Sequence, residues 1–158
     1  MPTQKQLQHA LREHIVALNP QIMVTFNYQR QVTLDQMRAH IIHFANVAQR
    51  QVLGRNWNHR PEDKRLSIIG VAEHLDTNSH VHAAVRGPES LIEFLQGAEA
   101  EMLWRRVHAR CGQLHAGTEH NPSKIAAYMT KDLYQANSLD RAIFYAPQRS
   151  TQDAPCNH

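Results

Sequence analysis

The sequence predicts a single α+β domain, and three observations carry that reading. Ile22-Met23-Val24-Thr25-Phe26-Asn27-Tyr28 is a run of β-formers. Leu66 to His74 and His80 to Arg86 read as two more strands, joined by the turn residues Leu75-Asp76-Thr77-Asn78-Ser79 of a short hairpin loop. Around these strands run segments whose apolar residues recur at helical spacing. The 158 residues suffice for one well-filled core and are too few for two domains of ordinary size. An apolar fraction of 42% with 20% charged residues argues against global disorder. The domain is expected over residues 1–147, with a loose tail at 148–158.

From the N-terminus, Leu7, Leu11, Ile15 and Leu18 predict an amphipathic helix over 3–18, ended by Asn19-Pro20. Strand 22–28 follows. Thr33 and Gln36 have capping-box spacing and open a helix with the stripe Leu34, Met37, Ile41, Phe44, Ala45, Ala48 and Val52, closed by Gly54. Residues 54–65 read as a polar, basic, exposed loop before the hairpin. Pro88-Glu89-Ser90 opens one helix through Leu91, Ile92, Phe94 and Leu95 and on past Gly97 to Met102 and Leu103. Trp104 to Glu119 is the least legible stretch, with one strand expected near 113–118. Asn121-Pro122-Ser123 gives helix-start signals for a last helix over 124–135.

Charge and cysteines narrow the class. Lys and Arg number 17 against 14 Asp and Glu, a formal charge of +3 that permits a polyanionic partner without demanding one. Cys111 and Cys156 are too few and too far apart for a disulfide framework or a cysteine zinc site, which favours a reducing cytoplasm. No apolar run approaches the roughly 20 residues that span a bilayer, and the polar start Met-Pro-Thr-Gln-Lys-Gln is no secretory signal.

The chemistry concentrates in two short segments. Residues two apart on a strand share a face, so His80 and His82 in Ser-His-Val-His-Ala-Ala-Val can direct both imidazoles at one point. Glu73 shares a face with Ile69 and Val71 on the preceding strand, and supplies a third ligand if the strands pair. Two imidazoles and a carboxylate leave coordination positions open for a substrate oxygen, and Mg2+ or Mn2+ is expected. The plain alternative for His-x-His is a polar face on a half-exposed strand.

In Ser-Lys-Ile-Ala-Ala-Tyr-Met-Thr-Lys-Asp-Leu-Tyr, helical geometry places Lys124, Tyr128, Lys131 and Gln135 on one polar stripe. Ile125, Met129 and Leu133 form the neighbouring apolar one. A cation one turn from a tyrosine favours the phenolate, so Tyr128 with Lys131 can serve as an activated nucleophile. The alternative for Tyr128 is a partly buried packing residue. Tyr134 is the rival nucleophile, but it lies well around the helix and lacks a lysine three residues on; it is expected to pack.

Three of these features, in this order, resemble the HUH endonuclease superfamily, specifically the replication initiators that start rolling-circle replication. Val24-Thr25-Phe26-Asn27-Tyr28 is similar to their first strand motif, His80-Val81-His82 to the His-hydrophobe-His metal motif, and Tyr128-Met129-Thr130-Lys131 to the Tyr-x-x-Lys nucleophile motif. The resemblance covers about residues 22–135. It implies a central antiparallel sheet of about five strands with flanking helices, a ferredoxin-like core. It further implies single-stranded DNA nicking and joining through a 5′-phosphotyrosine at Tyr128, with a plasmid or phage origin in a prokaryotic cytoplasm as substrate.

Conjugative relaxases place the tyrosine before the histidine motif, which argues against that branch. Single-tyrosine transposases share the present order and remain an alternative, although Lys131 favours the initiators. There is no Walker-type phosphate loop, so a helicase partner would be a separate protein. Arg55, Arg60, Lys64, Arg65, Arg105, Arg106 and Arg110 are candidates, as a group, for phosphate-backbone contact. Two further classes stay open: a non-cutting DNA-binding module, and a histidine-rich metal-binding protein. The N-terminal helix and residues 104–113 match nothing in the resemblance.

Overall fold

The computed structural model describes residues 1–108, 110–133 and 139–146. The expected tail at 148–158 lies outside them. The first half runs α1 (Gln4–Leu18), β1 (Ile22–Asn27), α2 (Leu34–Leu53), β2 (Ser67–Glu73) and β3 (His80–Arg86). The second half runs α3 (Glu89–Gln96), α4 (Ala98–Val107), β4 (Gln113–Ala116), α5 (Pro122–Met129) and β5 (Ala142–Tyr145). The strands form one antiparallel sheet in the order β4-β1-β3-β2-β5. Because β1 and β2 both run against β3, they point the same way and α2 connects them across it. The chain then returns through α3 and α4 to place β4 outside β1, giving the split β-α-β arrangement of a βαββαβ core, with β5 added beside β2.

Strand alternation decides what each face of the sheet does. Ile22, Val24, Phe26, Ile68, Ala72, Val81, Ala83, Val85, Leu114, Ile143 and Tyr145 point into the main core, where Met37, Ile41, Phe44, Leu91, Leu95, Leu103 and Trp104 of α2, α3 and α4 meet them. On the opposite face Ile69, Val71, Ala84 and Ala142 pack beneath Leu11 and Ile15 of α1 and Ile125, Ala126 and Met129 of α5. These two helices cover the β3-β2-β5 side. On the β4-β1 side of this face Met23, Thr25 and Asn27 are half-buried, and Gln113 and His115 are exposed.

Local chemistry sets most boundaries. Thr3 and Thr33 each cap a helix through complete capping boxes with Gln6 and Gln36. The expected long helix over 89–103 is instead two: Gly97 is extended (φ −92°, ψ 167°), ending α3 and starting α4. The connection 54–65 contains two 3-10 turns, Trp57–His59 and Glu62–Lys64. The last helix stops at Met129 rather than continuing to 135, with Thr130 as its cap. The strand expected at 113–118 ends at Ala116. β5 was not foreseen, since four residues are too few for a periodicity to register.

Trp104, in the stretch least legible from sequence, is fully buried among Phe26, Tyr28 and Phe44, and its indole N–H donates to the Asn27 carbonyl (3.1 Å). Next to it lies a histidine stack. His108 stacks on His40 with centroids 4.3 Å apart and meets the ring of His43 edge-on at 5.1 Å. Its buried Nε2 has no hydrogen-bond partner among the described residues. Burial, reinforced by the neighbouring His40 and His43, pushes the His108 pKa down to about 4.

A histidine depressed in the fold binds its proton more readily when unfolded, where its pKa is about 6.5. Its contribution to stability is therefore full above that value and is lost as pH falls towards 4. We expect the melting temperature to decline over this window and His108→Phe to flatten the decline. An unchanged slope in the variant would remove His108 as its source.

Candidate metal centre and nucleophile

The hairpin register builds the centre. Glu73 pairs with His80 and Val71 with His82, while Thr25 and Asn27 of β1 stand opposite His82 and His80 on the other side of β3. Glu73, His80, His82, Thr25 and Asn27 thus point to one face at the end of the sheet where β2 finishes and β3 begins. Glu73 Oε2 lies 3.2 Å from His80 Nε2 and 3.5 Å from His82 Nε2. Two donors bound at about 2.0–2.2 Å to one ion, at angles near tetrahedral or octahedral, are themselves about 3.0–3.5 Å apart, so each separation suits an ion shared by that pair.

Each imidazole is oriented from behind. Thr25 Oγ1 is 2.9 Å from His82 Nδ1, and the Asn78 carbonyl is 3.2 Å from His80 Nδ1. A carbonyl can only accept, so Nδ1 of His80 carries a proton and donates it, and Nε2 is the nitrogen presented to Glu73. The electrostatics are coupled. Burial opposes ionisation of Glu73, but hydrogen bonds from His80 and His82 and their charge outweigh it and hold the carboxyl well below the usual carboxylate range. The same hydrogen bond raises the His80 pKa against the opposing effect of burial.

A further donor, unforeseen from sequence, is His74. Glu73, His74 and His80 each offer a ligand atom within 4.8 Å of the others, a cluster that could hold a metal ion. Regular strand geometry would send residue 74 to the face opposite Glu73. His74 instead adopts the left-handed conformation (φ 52°) as the chain leaves β2, and its ring centroid lies 5.0 Å from that of His80. Thr25 also escaped the sequence reading as an orienting group; its place on β1 opposite His82 follows only from the pairing of β1 with β3.

α5 brings Tyr128 to this centre. Asn121 caps the helix by accepting from the backbone N–H of Ser123 and Lys124, and Pro122 occupies its first turn. Ile125, Ala126 and Met129 are buried against the sheet and α1, leaving Tyr128 43% exposed on the side of His82. The Tyr128 and His82 rings meet edge-on with centroids 5.2 Å apart. Lys131 is not on the helix, since α5 ends two residues earlier. The turn beyond Thr130 brings its Nζ over the Tyr128 ring, 4.1 Å from the centroid. Tyr128 and Lys131 thus meet as expected, by a turn rather than by a helical stripe. Gln135 and the rival Tyr134 lie outside the described residues.

The basic candidates separate. Arg55, Arg60, Lys64 and Arg65 precede β2 and lie at its far end, about 20 Å from Glu73 at roughly 3.3 Å per strand residue. Two of them serve local structure: Arg60 donates to the Leu53 carbonyl and Arg65, buried, to the Asn58 carbonyl. Arg105 is engaged by Glu101 (2.7 Å) and the Gly112 carbonyl. Arg106 and Arg110 are exposed.

Ion binding should register as stability. At Mn2+ concentrations a hundredfold above Kd the linkage gain is about 2.7 kcal/mol, or roughly 5–10 °C in melting temperature for a domain of this size. We expect such a shift, reversible by EDTA, to disappear in Glu73→Gln and to shrink in His74→Ala; an unshifted wild-type melting curve would refute the centre. No protein-family model, curated protein or solved structure matches this chain, so its function is read from the chemistry of the site itself.

Proposed function

We propose that the protein is a metal-dependent enzyme that nicks and rejoins single-stranded DNA through a covalent bond to Tyr128. The observation that carries this reading is the convergence of an exposed tyrosine, stacked under a lysine ammonium, with a carboxylate bridging two oriented imidazoles. A tyrosine that only filled space would bury its ring. Tyr128 instead leaves much of its surface open beside the donor cluster. Glu73, His80 and His82, with His74 as a further donor, are the residues that would hold the ion, and their imidazole content favours Mn2+ over Mg2+. Such an ion supplies Lewis-acid polarisation of a phosphate oxygen.

The Tyr128 oxygen attacks phosphorus and the bond from phosphorus to the 3′-oxygen breaks. The 5′-phosphate becomes esterified to the tyrosine, and the 3′-oxygen departs as a hydroxyl with the proton that the phenol gives up. Lys131 offsets negative charge that develops next to the ring. Attack by a 3′-hydroxyl on the phosphotyrosine reverses these bond changes and rejoins the strand.

The strip formed by the half-buried Met23, Thr25 and Asn27 and the exposed Gln113 and His115 offers a mixed polar surface beside His82 along which a single strand can lie. Initiation of rolling-circle replication at a plasmid or phage origin is the setting that the motif order and Lys131 favour. A single-tyrosine transposase would use the same chemistry.

Incubation with a pool of labelled single-stranded DNAs and Mn2+ should yield an adduct that survives denaturation and is absent with EDTA. Tyr128→Phe should abolish the adduct while retaining DNA binding, and Tyr134→Phe should leave it largely intact. DNA binding by the wild type without any adduct would transfer the assignment to a non-cutting module of the same fold.

A further inference from the structure

We propose that Gln8 and Arg12 of α1 are positioning residues that fix the orientation of Tyr128 relative to the metal centre; the inference rests on the assignment of Tyr128 as nucleophile. The metal-ligand candidates and the nucleophile belong to different parts of the fold. Glu73, His80 and His82 are held by the β-ladder, whose hydrogen bonds make their relative placement rigid. Tyr128 rides on an eight-residue helix, far below the length at which a helix holds itself together in water.

The two ends of α5 are secured differently. Its N-terminus is capped locally by Asn121. Its C-terminus has no glycine cap; the backbone N–H groups of Thr130 and Lys131 reach back to the Ala126 and Tyr128 carbonyls in a closing turn. That turn is held at Thr130 from α1, more than a hundred residues earlier in the chain. Gln8 Nε2 donates to the Thr130 carbonyl at 2.6 Å, and Arg12 Nε donates to Thr130 Oγ1 at 3.1 Å. Thr130 Oγ1 in turn donates to the Ala126 carbonyl at 2.8 Å, and Thr130 is fully buried.

Tyr128 lies between the two anchored carbonyl groups, in the last turn of the helix. Its ring faces His82 while the backbone behind it is gripped from α1. Leu11 and Ile15 of α1 pack on Ile125, Ala126 and Met129, and that apolar contact holds α5 against the sheet. Apolar packing is non-directional, so it tolerates small rotations of α5 about its own axis. Two hydrogen bonds at one end remove that freedom. The guanidinium near the negative end of the helix dipole adds to the hold. The N-terminal helix is therefore part of the reaction apparatus, although none of its residues reaches the reacting atoms.

The test uses the full chain, Mn2+ and the oligonucleotide recovered from the wild-type adduct. The rate of adduct formation is measured at saturating DNA, and the half-saturating DNA concentration separately. The double variant Gln8→Ala/Arg12→Ala should lose about tenfold to a hundredfold in rate, the effect of a misplacement on the order of 1 Å, with the half-saturating concentration little changed. Thr130→Val, which keeps the shape and removes the hydroxyl, should lose rate in the same way, and Thr130→Ser should restore it. Leu91→Ala, which loosens the core on the other face of the sheet, should lower the melting temperature while the folded fraction keeps its rate. Wild-type rates in the double variant and in Thr130→Val would overturn the inference and leave the nicking assignment standing, as would losses that merely track the folded fraction. Absence of an adduct from the wild type would overturn both.

Discussion

The register of the β2–β3 hairpin is the constraint on which the rest of the site depends. With Glu73 opposite His80 and Val71 opposite His82, one carboxylate oxygen stands within reach of two imidazole nitrogens. A slip of one residue would turn the histidines to the other face and bring Val81 and Ala83 out of the core. The core resists that slip, because Val81, Ala83 and Val85 are fully buried beneath α2, α3 and α4. The free energy that fixes the polar cluster is therefore supplied by apolar burial on the opposite side of the same strand.

The unequal covering of the sheet gives the site its access. A βαββαβ core places its helices on one face, and the other face has to be covered by additional elements or left to solvent. Here α1 and α5 cover the side over β3, β2 and β5, while on the other side Met23, Thr25 and Asn27 of β1 are half-buried and Gln113 and His115 of β4 are exposed. Tyr128 stands on the covering helix beside His82 of β3, the strand next to β1.

Orientation within the cluster comes from groups that do not touch the shared centre. Thr25 and the Asn78 carbonyl each engage an Nδ1, and this decides which nitrogen faces Glu73. His74 depends on a left-handed turn that leaves the strand one residue after Glu73. Such a conformation is uncommon for a residue with a side chain, and here it turns a ring that the strand would send to the other face towards a cluster of donors.

The sequence by itself determined the α+β class, the capping box at Thr33, and the strands of β1 and the hairpin, because these are local signals of period two or 3.6 and of turn chemistry. It also singled out Glu73, His80, His82, Tyr128 and Lys131, since strand alternation and helical spacing can be read over a few residues. Only the tertiary structure decided that Thr25 orients His82, that His74 joins the cluster, and that α1 grips the end of α5. It likewise decided that Lys131 meets Tyr128 across a turn, that Gly97 divides a helix, and that β5 closes one edge of the sheet. Each of these depends on strand pairing across long stretches of chain or on a single backbone conformation that breaks the local period. Neither leaves a trace in the spacing of neighbouring residues.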